Sequence, residues 1–312
     1  MEDRPLKREI SDFSFSSPAR SPKPSFFGRM KTLLRSKEGT PTDLSHLYLN
    51  EEGESWANLG YWKEEVRYGK ACEQLARILG TLGELGPGSK VLDLGFGCGD
   101  QFRVWEKDFG VSLRNIYGIN ISKSQYEFAR SRYKNSEPSP NLILGSVKAL
   151  REFPENFFDS VLGLDSLYFI PGRRSWSEEV YRILKPGGVF ASAEILLADR
   201  KNTFFEILKR SLILRLASMS TDLSNAEGLL SLYSSKGFRL ETIERIDPFV
   251  FSGFSNFIFS HIRDPLSKIP QNLKSRYEML AEYFASETIK KHFEYWIYKV
   301  RKPESDPLHE KN

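Results

Sequence analysis

The sequence predicts an α/β fold. It should have seven short strands in a mostly parallel sheet, helices on both faces, helical lid insertions and a disordered N-terminal tail. Three observations carry this. Short apolar runs alternate with segments of helical period from about residue 64 to residue 195. That alternation means a parallel sheet covered on both faces. A glycine-rich turn, Gly95-Phe-Gly-Cys-Gly99, joins the first strand to the following helix. The first 45 residues read as a flexible extension, and residues 14–25 within them show neither period and are dense in Ser and Pro.

The tail, residues 1–45, contains Ser17-Pro18 and Ser21-Pro22, each followed by a basic residue within two positions. They look like proline-directed kinase sites, which suggests a eukaryotic cell. Each phosphate would remove about 1.5–2 units of positive charge. An unmodified tail is the alternative. Within the tail, Phe26, Phe27, Met30, Leu33 and Leu34 recur at helical spacing among Arg29, Lys31, Arg35 and Lys37. Residues 26–37 therefore read either as a basic amphipathic helix for an anionic membrane surface or as a packing or disordered segment.

The globular part is expected over 46–303, with lid helices at about 46–63 and 249–292. Apolar positions every three or four residues predict a helix over 64–82. Gly86-Pro-Gly88 is a turn, 90–94 a strand, and a helix follows the glycines to about residue 109. Strands are expected at 116–119, 141–144, 158–165 and 189–195. Helices are expected at 122–133, with Ser122 as N-cap, and at 177–184, stopped by Pro186-Gly187-Gly188. The alternation then breaks. Helices over 203–219 and 229–235 precede a strand at 238–246, an aromatic, mostly helical stretch at 249–292 and a last strand at 293–300. Residues 304–312 form a polar tail.

Charge narrows the function. The 312 residues hold 45 Lys and Arg against 41 Asp and Glu, a net of +4. Residues 1–40 alone hold nine against five, so the remainder is neutral, at 36 against 36. A broad basic face for duplex nucleic acid is thereby disfavoured. Two cysteines, Cys72 and Cys98, exclude a disulfide framework or a Cys-based zinc site, and no metal is expected. There is no signal-peptide core and no apolar run of the roughly 18–20 residues that span a bilayer. The expected setting is intracellular, either cytoplasmic or peripheral on an organelle membrane.

The glycine turn carries the chemistry. A dinucleotide site wants glycines spaced G-x-G-x-x-G, so that a pyrophosphate reaches the helix N-terminus. Here the spacing is G-x-G-x-G, and Asp93 stands two residues ahead. An acid there repels a pyrophosphate and suits a ligand with an ammonium group. At this point the chain resembles the class I S-adenosylmethionine-dependent methyltransferases, over roughly residues 55–302. Asp93, Gly95, Gly97 and Gly99 match their first motif in full.

The resemblance implies a Rossmann-like fold and S-adenosylmethionine as cofactor. It places Asn120 and Ile121 where an acid usually holds the ribose, and Ser146 and Val147 beside the adenine. Asp165 and Tyr168 fall where small-molecule members carry Glu and His near the reaction centre. Those substitutions are closest to the lipid- and natural-product-modifying branch, which includes tocopherol and sterol enzymes. Asn58-Leu-Gly-Tyr-Trp62 resembles that branch's lid signature. It implies Tyr61 and Trp62 over the cofactor, where an aromatic face stabilises a sulfonium. An ordinary hydrophobic helix start is the other reading.

Methyl transfer from a sulfonium needs mainly proximity and alignment. A base matters only for a protonated or weakly acidic acceptor. The four histidines are His46, His261, His292 and His309, so none falls between residues 47 and 260. His261 is either a base brought in by the late helical insertion or a packing residue. Five phenylalanines within 249–259 are expected partly in the cap core and partly around an apolar pocket. The leading expectation is a methyltransferase for a small, hydrophobic or lipid-like acceptor. A protein or nucleic-acid methyltransferase, and a cofactor-binding pseudoenzyme tethered by its basic tail, are the competitors.

Overall fold

A computed structural model of the protein describes residues 42–64, 67–200 and 203–304. The Ser17 and Ser21 sites, the 26–37 segment and residues 305–312 lie outside the described residues.

All seven expected strands form, as one sheet in the order β3-β2-β1-β4-β5-β7-β6. They are β1 (Val91–Leu94), β2 (Ile116–Asn120), β3 (Asn141–Leu144), β4 (Phe158–Leu164), β5 (Leu184–Leu197), β6 (Arg239–Arg245) and β7 (Phe293–Arg301). The first five pair in parallel, while β7 runs antiparallel to both β5 and β6. β1 is buried along its whole length, which is why it reads as an unbroken apolar run rather than an alternating one. Strand order reverses beside β1, the place where open α/β sheets bind ligands at their carboxyl ends.

The helices are α1 (Tyr68–Leu82), α2 (Asp100–Phe109), α3 (Lys123–Arg132), α4 (Arg173–Ile183), α5 (Phe204–Leu216), α6 (Ala226–Ser235), α7 (Phe251–Arg263), α8 (Gln271–Ala285) and α9 (Glu287–His292). Two apolar layers hold them to the sheet. On one side Leu75, Leu79, Phe102 and Trp105 are fully buried. The Trp105 indole also donates to the Ala76 carbonyl at 3.1 Å. On the other side Trp176, Val180, Phe190, Tyr233 and Tyr298 interlock. That layer contains a buried ion pair. Arg173 donates twice to Glu194, at 2.8 and 2.5 Å, and the Tyr298 hydroxyl donates to Glu194 at 2.6 Å. A charge pair this deep is tolerable because its lone pairs and protons are matched.

Some boundaries move. Ser122 caps α3 as expected, accepting the Gln125 amide at 3.3 Å. α4 starts at Arg173, ahead of the expected residue 177, because Asp222 accepts the amides of Gly172 and Arg173 at 2.9 and 3.1 Å. Lys185-Pro-Gly-Gly188 is absorbed into β5. Of the expected lid helix at 46–63, only Thr42–Leu49 is helical, as a 3-10 helix. Beyond it Asn50 folds the chain back, bonding the Trp56 amide at 2.8 Å and the Trp56 carbonyl at 2.9 Å. Both contacts compete with a helix.

The cap formed by α7–α9 is held by its own aromatics. Phe251 stacks on Phe284 at 5.4 Å and lies 6.0 Å from Tyr295, while Phe254 meets Phe284 edge-on at 5.5 Å. No helix among the described residues is long and apolar enough to cross a membrane.

Candidate active site

A cavity of about 620 Å³ opens at the carboxyl ends of β1, β2, β3 and β4, within the size range of small-molecule sites. Its floor is the glycine turn. Gly95 has φ +86°, and a Cβ there would lie 2.6 Å from the Ser166 Cβ, so only glycine fits against β4. Gly97 has φ +58°, and an added Cβ would meet nothing closer than the Ala57 Cβ at 4.0 Å. Its bare face is turned to open space, where a ligand can approach the backbone. The Phe96 side chain between them is buried against Phe102.

Asn120 ends β2 and lines the cavity. Its Nδ2 donates to the Gly97 carbonyl at 3.1 Å and to Gln125 Oε1 at 3.0 Å, fixing the amide. Oδ1 accepts the Ser122 amide at 3.3 Å, which leaves a lone pair for a hydroxyl. Beside it Ile121 is 76% exposed, an unusual state for isoleucine unless a flat apolar group can cover it. Ser146, Val147 and Lys148 form the far wall after β3.

Asp93 does not line the cavity. It sits fully buried behind the turn, where Gln101 Nε2 donates to its Oδ2 at 2.6 Å and its Oδ1 has no protein partner. Burial pushes this carboxyl up to about 7, with only the Gln101 contact opposing. A cation nearby would relieve it.

The opposite end is formed by Leu164, Asp165, Ser166, Phe169, Ile170 and Pro171. Both oxygens of Asp165 are occupied. The Leu59 amide donates to Oδ2 at 2.6 Å, and the Tyr168 hydroxyl to Oδ1 at 2.8 Å. Burial raises the carboxyl to about 6 against these bonds. Asp165 thus latches the chain entering at residues 55–59 to the end of β4. Tyr168 is buried under that latch and does not line the cavity.

The roof is a strap, with Ser45, His46 and residues 55–58 facing the cavity. Ser55 is held by Asp100 and by Arg132, whose Nη1 reaches the Ser55 hydroxyl and the Asp100 carboxylate at 2.7 Å each. Tyr277 of α8 donates to the Ser45 carbonyl at 2.6 Å.

Tyr61 and Trp62 require a correction, because neither lines the cavity. The Trp62 amide donates to the Phe249 carbonyl at 2.7 Å, and its ring stacks on Phe257 at 5.5 Å. Tyr61 tilts against Phe249 at 5.4 Å. The pair clamps the strap to the cap. The cap phenylalanines likewise stay out of the cavity, and His261 sits against the Tyr48 carbonyl at 2.9 Å. Sequence reasoning missed His46, Trp56, Asn58, Asp100, Gln101, Gln125 and Phe169. His46 Nε2 lies 3.6 Å from Cys98 Sγ, a thiol that burial raises to about 12. Gln101 alone had a local signal, one turn beyond the glycines.

Residues 92–192 match the family described as a methyltransferase domain. The chain is similar to 2-methyl-6-phytyl-1,4-hydroquinone methyltransferase of Synechocystis, at 28% identity over 48% of this chain and 44% of that protein. It is similar to cycloartenol-C-24-methyltransferase of Arabidopsis thaliana, at 31% identity over 47% and 43%. The aligned region spans about half the length of the curated relatives. In fold it matches geranyl diphosphate C-methyltransferase from Streptomyces coelicolor, with TM-score 0.67 and 15% identity over 88% of this chain and 98% of that one. The chain carries a methyltransferase domain at residues 92–192, with S-adenosylmethionine as its cofactor, and is similar to methyltransferases named for small molecules.

The residues present fit that cofactor. A glycine cradle open at Gly97 would take the ligand against the backbone, the Asn120 amide would meet hydroxyls and the exposed Ile121 a flat base, while Asp93 lies behind the turn and holds Gln101. One consequence is a pH dependence of stability. Burial raises Asp93 to about 7, above its ordinary 3.8, so the folded chain holds this proton more readily than the unfolded one and the group's contribution is lost as pH rises through about 7. Asp93→Asn should remove that loss, read by urea melts at about pH 6 and pH 8.

Proposed function

We propose that the protein transfers the methyl group of S-adenosylmethionine to a small, hydrophobic or lipid-like acceptor. The observation carrying this is the cavity end beyond the glycine turn. Leu164, Ser166, Phe169, Ile170 and Pro171 line it, and the acid among them, Asp165, has both oxygens engaged by the protein. Such a surface accepts apolar area and gives little to a charged metabolite. The names of the similar proteins, which specify a phytyl hydroquinone and a sterol precursor, support the same acceptor class.

When bound, the cofactor supplies an electrophilic methyl on a sulfonium. The chain's own part is to orient and exclude water. Gly97 and Asn120 fix the approach to the turn, the strap roofs the cavity, and Asp165 holds the strap down. His46 is the imidazole in the cavity wall and the group placed to take a proton from a hydroxyl acceptor. The tail belongs to the same proposal. Residues 26–37 would make peripheral membrane contact inside the cell, and kinases acting at Ser17 and Ser21 would weaken it. Incubating the protein with tritiated cofactor and separate lipid, RNA and protein fractions tests the reading. Label is expected in the lipid fraction, and label confined to RNA or protein would sink it.

A further inference from the structure

Helix α5 is apolar on two opposite sides. Ile213 and Leu214 are buried against the body. Leu208 and Leu212, one turn apart on the other side, are 60% and 44% exposed, while Ile207, 44% exposed, stands two turns before Leu214 at the edge of the buried side. A helix covered on one side needs apolar residues on that side alone. Elsewhere among the described residues, the large exposed apolar side chains either line the cavity, as Ile121 and Phe169 do, or stand alone. Three within two turns of one helix need an explanation.

The charge around this face says what covers it. Residues 200–215 contain five Lys and Arg (Arg200, Lys201, Lys209, Arg210 and Arg215) and one acid, Glu206. That is a net of +4 in a body, residues 41–312, whose total is zero. An apolar ridge in so basic a stretch of sequence matches an anionic lipid surface, where aliphatic side chains insert below the headgroups and cations attract the acidic lipids. The helix is also tied to the cavity. Four residues past its end, the Ser220 amide donates to the Tyr168 carbonyl at 2.7 Å. The next residue, Phe169, lies on the cavity wall and is 48% exposed.

We propose that the Leu208–Leu212 face of α5, edged by Ile207, docks on an anionic bilayer, bringing the Phe169 rim of the cavity to the membrane. An apolar acceptor then passes from lipid to cavity with little exposure to water. The docking stands on this face alone, whereas its use for acceptor entry rests on the function proposed above.

Sedimentation of the full chain with vesicles of phosphatidylcholine, with and without phosphatidylserine, tests the docking. Binding is expected with phosphatidylserine and about tenfold weaker without it. Leu208→Glu/Leu212→Glu should lower binding about tenfold or more while cofactor affinity and melting temperature hold, since both side chains face solvent. Arg215→Glu, an exposed residue on the Leu208–Leu212 side of the helix, should weaken binding in the same direction. Phe26→Glu/Phe27→Glu, which disables the tail segment, should leave α5-dependent binding in place. The proposal falls if the native chain binds neither vesicle, or if the α5 variant binds like the native chain. It falls equally if the tail variant abolishes binding, or if the α5 changes instead dissociate a dimer. Methyl transfer need not be observed, so failure of the acceptor reading would not disguise failure of the docking.

Discussion

Gly97→Leu should weaken S-adenosylhomocysteine binding by about 100-fold or more, roughly 2.7 kcal/mol, while leaving a folded protein. Two facts separate the effects. The added Cβ would meet only the Ala57 Cβ at 4.0 Å, so no protein atom has to move. The backbone at φ +58° penalises an L side chain by about 1–2 kcal/mol, a drop in melting temperature of a few degrees for a chain of this size. The rest of the leucine then extends into the cavity and occupies the ligand's approach to the turn. Gly95→Ala provides the contrast. Its Cβ falls 2.6 Å from the Ser166 Cβ, and Ser166 is bonded to the Leu94 carbonyl, so the end of β4 must shift. Stability should suffer there before affinity is at issue. Calorimetry and thermal melts on both variants check this. Native-like affinity in Gly97→Leu would show that the ligand binds elsewhere.

The difference between those two glycines was not legible in the sequence, although the motif was. The seven strands and the helices between them, encoded by local period, came through. The strands are buried apolar runs, and the turn announces itself between strand and helix. Asn120 and Ser146 stand at strand ends and so reach the cavity. What failed depends on residues far apart in the chain. α4 begins early because Asp222, 49 residues away, accepts the Arg173 amide. His46 reaches the cavity by meeting Cys98 across 52 residues. Trp62 turns toward the cap because Phe249 and Phe257 are there to receive it. A pattern read along the chain says that Trp62 and Phe254 want burial, but not which partner will bury them. The lid and substrate readings rested on that choice. The latch role of Asp165 was hidden for the same reason, since its donor Leu59 is 106 residues away.

Asp165→Gly is the other substitution with a large expected effect. The residue has φ +54°, a conformation that glycine adopts freely and asparagine tolerates. Glycine therefore removes the carboxylate without adding backbone strain. The Leu59 amide and the Tyr168 hydroxyl lose their acceptor in a buried setting, at about 1–3 kcal/mol each. A melting temperature lower by roughly 3–10 °C is expected. Methyl transfer should fall about 100-fold as residues 55–59 lift from the cavity, a misplacement remote from the reacting atoms. Asp165→Asn separates a latch from a base. Its amide oxygen can keep the Leu59 bond while Nδ2 donates to the Tyr168 oxygen, so both contacts survive without a charge. A latch predicts asparagine within about threefold of native activity, whereas a base lost to asparagine typically costs 10²–10⁴-fold. The pH dependence of stability gives a second readout. Because burial raises this carboxyl to about 6, above its ordinary 3.8, the folded state binds the proton more readily than the unfolded one. Asp165 therefore contributes a gain in stability as pH falls from about 6 toward 4, and Asp165→Asn should remove that contribution. Tyr168→Phe takes away a bond that holds the carboxyl down, so it should move this window to higher pH. Urea melts across pH 4–8 on the three variants would show it, and an unchanged window in Tyr168→Phe would break the link between phenol and latch.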